Sequence, residues 1–213
     1  MFDHKEGLED LKQIKEVLDK FNVPFFLGYG TALGAYREKE FLPGDDDIDL
    51  GVVAKVDHKT KKAIGWMLYD LGFQPLQIAF NVYGRMEPTE IGYNGDHDTG
   101  VIVCERKAKF TIFFFNPEEQ EIEGDKYYVC TAKLGALPLI ATPSRFYNEL
   151  KTIKFKGEKF NVPSPVEEYL DFTYEDWKDS LKRDHGLTYP ELFGNKQMLE
   201  VDGEFQRVNI KNS

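Results

Sequence analysis

Gly28-Tyr29-Gly30-Thr31-Ala32-Leu33-Gly34-Ala35-Tyr36-Arg37, followed shortly by Pro43-Gly44-Asp45-Asp46-Asp47-Ile48-Asp49-Leu50, decides how this chain is read. The acids come first. Four carboxylates crowd into five positions, and at about 5 Å each like-charged pair costs on the order of 1 kcal/mol in a partly screened setting. Stability alone does not favour that crowding beside an apolar strand, whereas a bound divalent cation relieves it. Asp47 to Val53 alternates as a strand does, with Ile48, Leu50 and Val52 facing one way and Asp47, Asp49 and Gly51 the other. Asp47 and Asp49 therefore share a face. Oxygen ligands presented in that way suit Mg²⁺, or Mn²⁺, which binds one or two carboxylates together with substrate phosphates.

The glycine turn is the other half of the pattern. The apolar run Phe25-Phe26-Leu27 reads as a buried strand ending at Gly28. Thr31 then reads as the N-cap of a short helix through about Lys39. Such a turn presents backbone N–H groups to an anion. Gly30 allows close approach of the backbone, Gly34 allows tight packing of the helix on the sheet, and Arg37 is a candidate phosphate contact. The acids, the turn and Arg37 are each weak signals. In this order, separated by one short helix, they are specific.

Outward from this centre, residues 6–21 and 57–71 carry apolar side chains at helical spacing; in the second, Ile64, Met67, Leu68 and Leu71 are expected inward. Phe73–Arg85 reads as a hairpin or two short strands, and 86–100 as a polar loop. Val101–Val103, Phe110–Phe115 and Tyr127–Cys130 read as strands. Beyond them come a helix around Pro143–Leu150, a strand pair over Lys151–Val162, a short helix at Pro165–Leu170, and a weakly patterned tail after about Asn195. The order of elements predicts an α+β (mixed α/β) fold. A core over 1–135 with a C-terminal extension over 136–213 packed on it is the expected division.

The 213 residues suffice for one compact unit, and 41% hydrophobic with 30% charged residues excludes a disordered chain. No run approaches the roughly 18 apolar residues of a membrane span. The polar N-terminus lacks a signal peptide's apolar core. Cys104 and Cys130 lack metal-type spacing and read as reduced thiols, so a cytoplasmic location is expected. A formal net charge of −10 argues against a protein that grips long nucleic acid.

The string from Gly30 to Leu50 resembles the LicD/fukutin family of the nucleotidyltransferase superfamily, whose members read Gly-Thr-x-Leu-Gly-x-x-Arg and then Pro-Trp-Asp-Asp-Asp-Ile-Asp. Phe113-Phe114-Phe115-Asn116-Pro117 is similar to a later strand of the family. Lys154 to Gly157, Val162-Pro163, Glu167 to Leu170 and Tyr174 to Trp177 are similar to its closing motif. The resemblance implies a nucleotidyltransferase-type mixed sheet flanked by helices. It implies a Mg²⁺-dependent phosphotransferase that moves a phospho-alcohol, such as phosphocholine, ribitol phosphate or glycerol phosphate, from a CDP-linked donor to a sugar hydroxyl and releases CMP. Asp47 and Asp49 would ligate the metal and carry catalysis. Gly28, Gly30 and Thr31 would contact donor phosphate, with Arg37 in support.

Three departures stand out. Gly44 replaces the family's tryptophan, Tyr174-Glu175-Asp176 replaces a closing Tyr-Gly-Asp, and Thr111 stands where a third carboxylate is expected. Asp96, Asp98 and Glu105 are the acids nearby in sequence. Transfer of a nucleotide from a nucleoside triphosphate, and a non-catalytic nucleotide-binding relative, are the rival readings. Further binding candidates are His97, Lys133, Lys151 and Lys154, with Tyr83, Tyr93 and Trp177 for stacking on a base or sugar.

Overall fold

The computed structural model describes residues 2–75, 93–94, 100–122, 124–130, 140–174, 176–179, 196–201 and 204–209. Its centre is a mixed sheet formed by β1 (Phe26–Leu27), β2 (Asp47–Val52), β3 (Gln74–Pro75), β4 (Tyr93–Asn94), β5 (Gly100–Glu105) and β6 (Lys109–Phe114). The spatial order is β1-β2-β6-β5-β3, with β4 also paired to β5. Among the described residues only the β2–β6 pairing is parallel, and it sets Asp47 beside Lys109, Asp49 beside Thr111 and Gly51 beside Phe113.

Strand alternation gives the sheet two different faces. Ile48, Leu50 and Val52 point to one of them and are fully buried, as are Phe110, Ile112 and Phe114 on β6. Helices α1 (His4–Lys20) and α3 (His58–Asp70) pack together there, α1 close enough for Gly7 to lie against Ile48. Asp3 caps α1 and Asp57 caps α3, each accepting bonds from first-turn amides. One buried carboxylate ties α1 to the sheet. Asp10 accepts from Arg106 Nε (2.9 Å), Lys107 N (2.9 Å) and Ala108 N (3.2 Å), satisfying the turn between β5 and β6.

The opposite face is acidic at one end and aromatic at the other. The Phe26 ring lies over Gly51, where even a methyl group would collide with it at 2.1 Å. Phe26 stacks on Tyr147, and Tyr29 meets Phe113 edge-on. The later elements cover this region. Strands β7 (Gln120–Ile122), β8 (Asp125–Cys130) and β9 (Ile140–Pro143) form a small antiparallel sheet. Strands β10 (Lys151–Phe155) and β11 (Glu158–Val162) form a hairpin whose Phe155 and Phe160 pack on Phe41 and Phe25. Helix α4 (Val166–Thr173) buries Tyr169 and Leu170 in the same core.

Several elements differ from the sequence reading. The expected helix around Pro143–Leu150 is the end of β9 followed by a single 3₁₀ turn, Ser144–Phe146. The side chains of Phe146 and Tyr147 are drawn into the aromatic core rather than along one helical stripe. The tail contains a hairpin of β12 (Lys196–Val201) and β13 (Glu204–Asn209). Tyr93–Asn94, expected in a loop, pair with β5. Leu71 is 41% exposed because it ends α3 instead of continuing its buried face. Residues 76–92 and 95–99 lie outside the described residues, and with them most of the expected hairpin and polar loop.

Among the described residues, no helix is long and apolar enough to cross a membrane. Cys104 and Cys130 are both buried and not joined in a disulfide, with burial pushing the Cys104 thiol up to about 12.

Candidate functional site

The glycine turn and the acidic strand are physically joined. Helix α2 (Tyr29–Leu33) starts from Gly28, so Thr31 lies inside the helix and is not its N-cap. The reason is a competing partner: Thr31 Oγ1 accepts from the amide of Asp49 at 2.9 Å. On the same residue, Gly28 N donates to the carbonyl of Asp49 at 2.9 Å. Tyr29, held at φ 45°, donates its amide to the buried hydroxyl of Tyr169 at 3.0 Å. Two hydrogen bonds thus fix the turn to β2, and a third fixes it to α4.

The helix does not end at Leu33. It continues as a π-helical turn, Gly34–Glu38, a feature often found at functional sites. Gly34 is needed there, though not for packing on the sheet. A Cβ at Gly34 would lie 2.6 Å from the Glu40 carbonyl and 3.0 Å from the Leu42 amide. The returning chain crosses at that point and carries Asp45 back over the turn. A Cβ at Gly30 would meet Asp45 Oδ2 at 2.8 Å. Lys156, from the β10–β11 hairpin, bonds Glu40 and anchors the same returning loop.

Asp45, Asp46 and Asp47 bring carboxylate oxygens within 4.8 Å of one another. A donor set made only of carboxylate oxygens suits a hard divalent cation. Asp49 sits deeper and outside this trio, two positions along the strand from Asp47. Burial, then the charges of Asp47 and Asp45, hold its carboxyl well above the usual range, with Lys109 opposing them. Asp45 is pushed up to about 6, by burial first and Asp47 second. These shifts are those of carboxylates that are buried and, in addition, repel one another. The main counter-charge is Lys109, whose Nζ lies 3.1 Å from Asp47 Oδ2 and 3.9 Å from Asp46 Oδ1.

The register places Thr111, only 5% exposed, beside Asp49. Of the other acids considered, Glu105 is an exposed residue at the end of β5, on the far side of Lys109 from Asp47. Asp96, His97 and Asp98 lie outside the described residues, as do Tyr83 and Lys133. Arg37 turns towards the later part of the chain, bonding Glu38 Oε1 through Nε at 2.6 Å and the carbonyl of Trp177 through its guanidinium. Trp177 is buried beside Tyr36, with its indole N–H donated to Asp171 at 2.7 Å. Lys151 and Lys154 are exposed, Lys151 with its ammonium over the Tyr36 ring.

The site includes residues that sequence reasoning had not singled out. Lys109 falls on the acid face by strand alternation, but only the β2–β6 register brings it to Asp47. Tyr169 lies in the closing-motif resemblance, but its bond to the Tyr29 amide joins segments 140 residues apart and only the fold shows it.

Residues 22–165 match the family model described as LicD/FKTN/FKRP, nucleotidyltransferase domain. Among curated proteins, ribitol-5-phosphate transferase FKTN of Macaca fascicularis is 30% identical over 180 residues, covering 84% of this chain and 34% of that protein. The Homo sapiens protein of the same name is 29% identical over the same coverage. The chain therefore spans about a third of the length of these relatives. Among solved structures, the lincomycin-bound lincosamide antibiotic adenylyltransferase LnuA aligns with a TM-score of 0.48 and 14% identity, over 82% of this chain and 94% of that one.

Proposed function

We propose, for a chain that belongs to the LicD/FKTN/FKRP nucleotidyltransferase-domain family, a phosphotransferase activity. It moves a phospho-alcohol of the ribitol phosphate, phosphocholine or glycerol phosphate type from a CDP-linked donor to a sugar hydroxyl and releases CMP. The observation that carries this reading is the pair of bonds by which Thr31 and Gly28 grip the backbone of Asp49. They hold an acid-bearing strand against a glycine turn, and phosphoryl transfer depends mainly on such positioning and on charge neutralisation.

In this reading Asp47 and Asp49 are the carboxylates that hold Mg²⁺ or Mn²⁺, with Asp45 and Asp46 adding negative charge beside Asp47. Such an ion, when bound, neutralises phosphate charge and polarises the phosphoryl group. The chain's own residues do the rest. Gly30, where a side chain would collide with Asp45, lets the acidic loop close over the turn, and the Gly30 and Thr31 backbone meets donor phosphate beside it. Tyr169 holds the turn in shape through the Tyr29 amide. The oxygen–phosphorus bond to CMP breaks, the acceptor oxygen bonds to phosphorus, and the acceptor's proton leaves to a nearby carboxylate or water. The names of the matched relatives favour ribitol phosphate as the group moved.

Incubation of the protein with CDP-ribitol, CDP-choline and CDP-glycerol, a glycan acceptor and Mg²⁺ tests the proposal through CMP release. Asp47→Asn and Asp49→Asn should each reduce release by at least about 100-fold, as expected when a charge-stabilising group is lost. Release unchanged in both variants would end this reading. Pyrophosphate release from a nucleoside triphosphate, with none of CMP, would replace it with nucleotide transfer.

A further inference from the structure

Among the described residues the acid face contains one close cation. Asp45, Asp46, Asp47 and Asp49 stand together, and among the described residues Lys109 alone forms ion pairs with them. A CDP-linked donor brings further negative charge to the same place. Arg37, the cation expected to meet it, is bonded to Glu38 and the Trp177 carbonyl. Thr111, beside Asp49, has no charge to offer.

Lys109 is well placed to take that task. Its backbone is fixed in the parallel ladder beside Asp47, yet its ammonium sits on a flexible stem and reaches carboxylates of two neighbouring residues. It remains about one-third exposed, so it can reorient without unpacking the core. Lysine commonly binds phosphate as a point charge.

We propose that Lys109 is a donor-phosphate contact: its ammonium pairs with Asp47 in the resting site and turns to the donor's phosphoryl oxygens when a divalent ion occupies the acids. This rests on the phosphotransferase reading above. It also means that Lys109 competes with the metal for Asp47 until the donor arrives, so metal and donor bind cooperatively.

Binding measurements on the whole chain test this without turnover. Mn²⁺ affinity is read by electron paramagnetic resonance, and CDP affinity by calorimetry at saturating Mn²⁺. Removing the competing charge in Lys109→Met should tighten Mn²⁺ binding without nucleotide by about tenfold and weaken CDP by about tenfold, while Lys109→Arg keeps CDP affinity within about threefold. Lys107→Met, which removes a lysine paired with Glu6 and Glu9, controls for general charge and should change neither. Wild-type CDP affinity in Lys109→Met, or equal loss in Lys109→Met and Lys109→Arg, overturns the role of Lys109. If the wild-type chain binds no Mn²⁺, or Asp47→Asn binds it undiminished, the phosphotransferase reading fails and this inference falls with it.

Discussion

Thr31→Val separates a phosphate-contacting hydroxyl from one that positions the acidic strand. Thr31 is 1% exposed and its Oγ1 accepts from the Asp49 amide at 2.9 Å. Valine keeps the shape and β-branching of threonine, so packing changes little. What changes is that a buried N–H loses its acceptor, at a cost of about 1–3 kcal/mol. For a chain of this size about 2 kcal/mol lowers the melting temperature by roughly 4–8 °C. Urea unfolding should show a lower midpoint with an unchanged slope, since the surface exposed on unfolding is the same. Thr31→Ser retains the oxygen and should lose less than half as much. Stability within about 0.3 kcal/mol of wild type in Thr31→Val would refute the reasoning, because a buried orphan amide cannot be that cheap. Equal destabilisation by serine and valine would also refute it, by showing that the methyl group rather than the hydroxyl matters.

Further outcomes follow from the same geometry. Asp45 ionises near 3.8 in an unfolded chain and at about 6 when folded, so between those values the folded state binds more protons. Asp49 is raised in the same direction. Without metal, this contribution to stability is fully present below pH 3.8 and is lost as pH rises from there through about 6; thermal melting in EDTA should show the decline, and Asp45→Asn should reduce it. Asp10→Ala leaves Arg106 without its buried partner and two turn amides without an acceptor, so a loss of about 3–5 kcal/mol is expected in denaturant titration. Tyr169→Phe removes the acceptor of the Tyr29 amide and should cost about 1–3 kcal/mol, measured by urea unfolding.

The sequence made local features legible and left long-range ones hidden. Alternation over Asp47–Val53 identified a strand with acids on one side, and the burial of Ile48, Leu50 and Val52 follows that pattern. Amphipathic spacing found α1 and α3 because each packs one face on the sheet. Thr31 was misplaced as a helix cap because capping propensity is local, whereas the partner that claims its hydroxyl lies on another strand. Gly34 was recognised as a close-packing position, but against the wrong neighbour, since only the fold shows that the chain at Glu40–Leu42 returns over it. The roles of Lys109 and of Tyr169, the latter within the closing motif, were hidden for the same reason: each reaches the site through a pairing between segments distant in sequence. The 3₁₀ turn at Ser144–Phe146 defeated periodicity because aromatic residues there serve a tertiary cluster instead of a helical stripe.

A crystal structure of the chain with Mn²⁺ and CDP, with the ion located by its anomalous scattering, examines the central claim most directly. The ion should be ligated by carboxylates from the Asp45–Asp49 run, with a phosphate of CDP beside the Gly30 and Thr31 backbone and within reach of Lys109. An ion bound elsewhere, or a nucleotide whose phosphates lie away from the turn, would contradict the account.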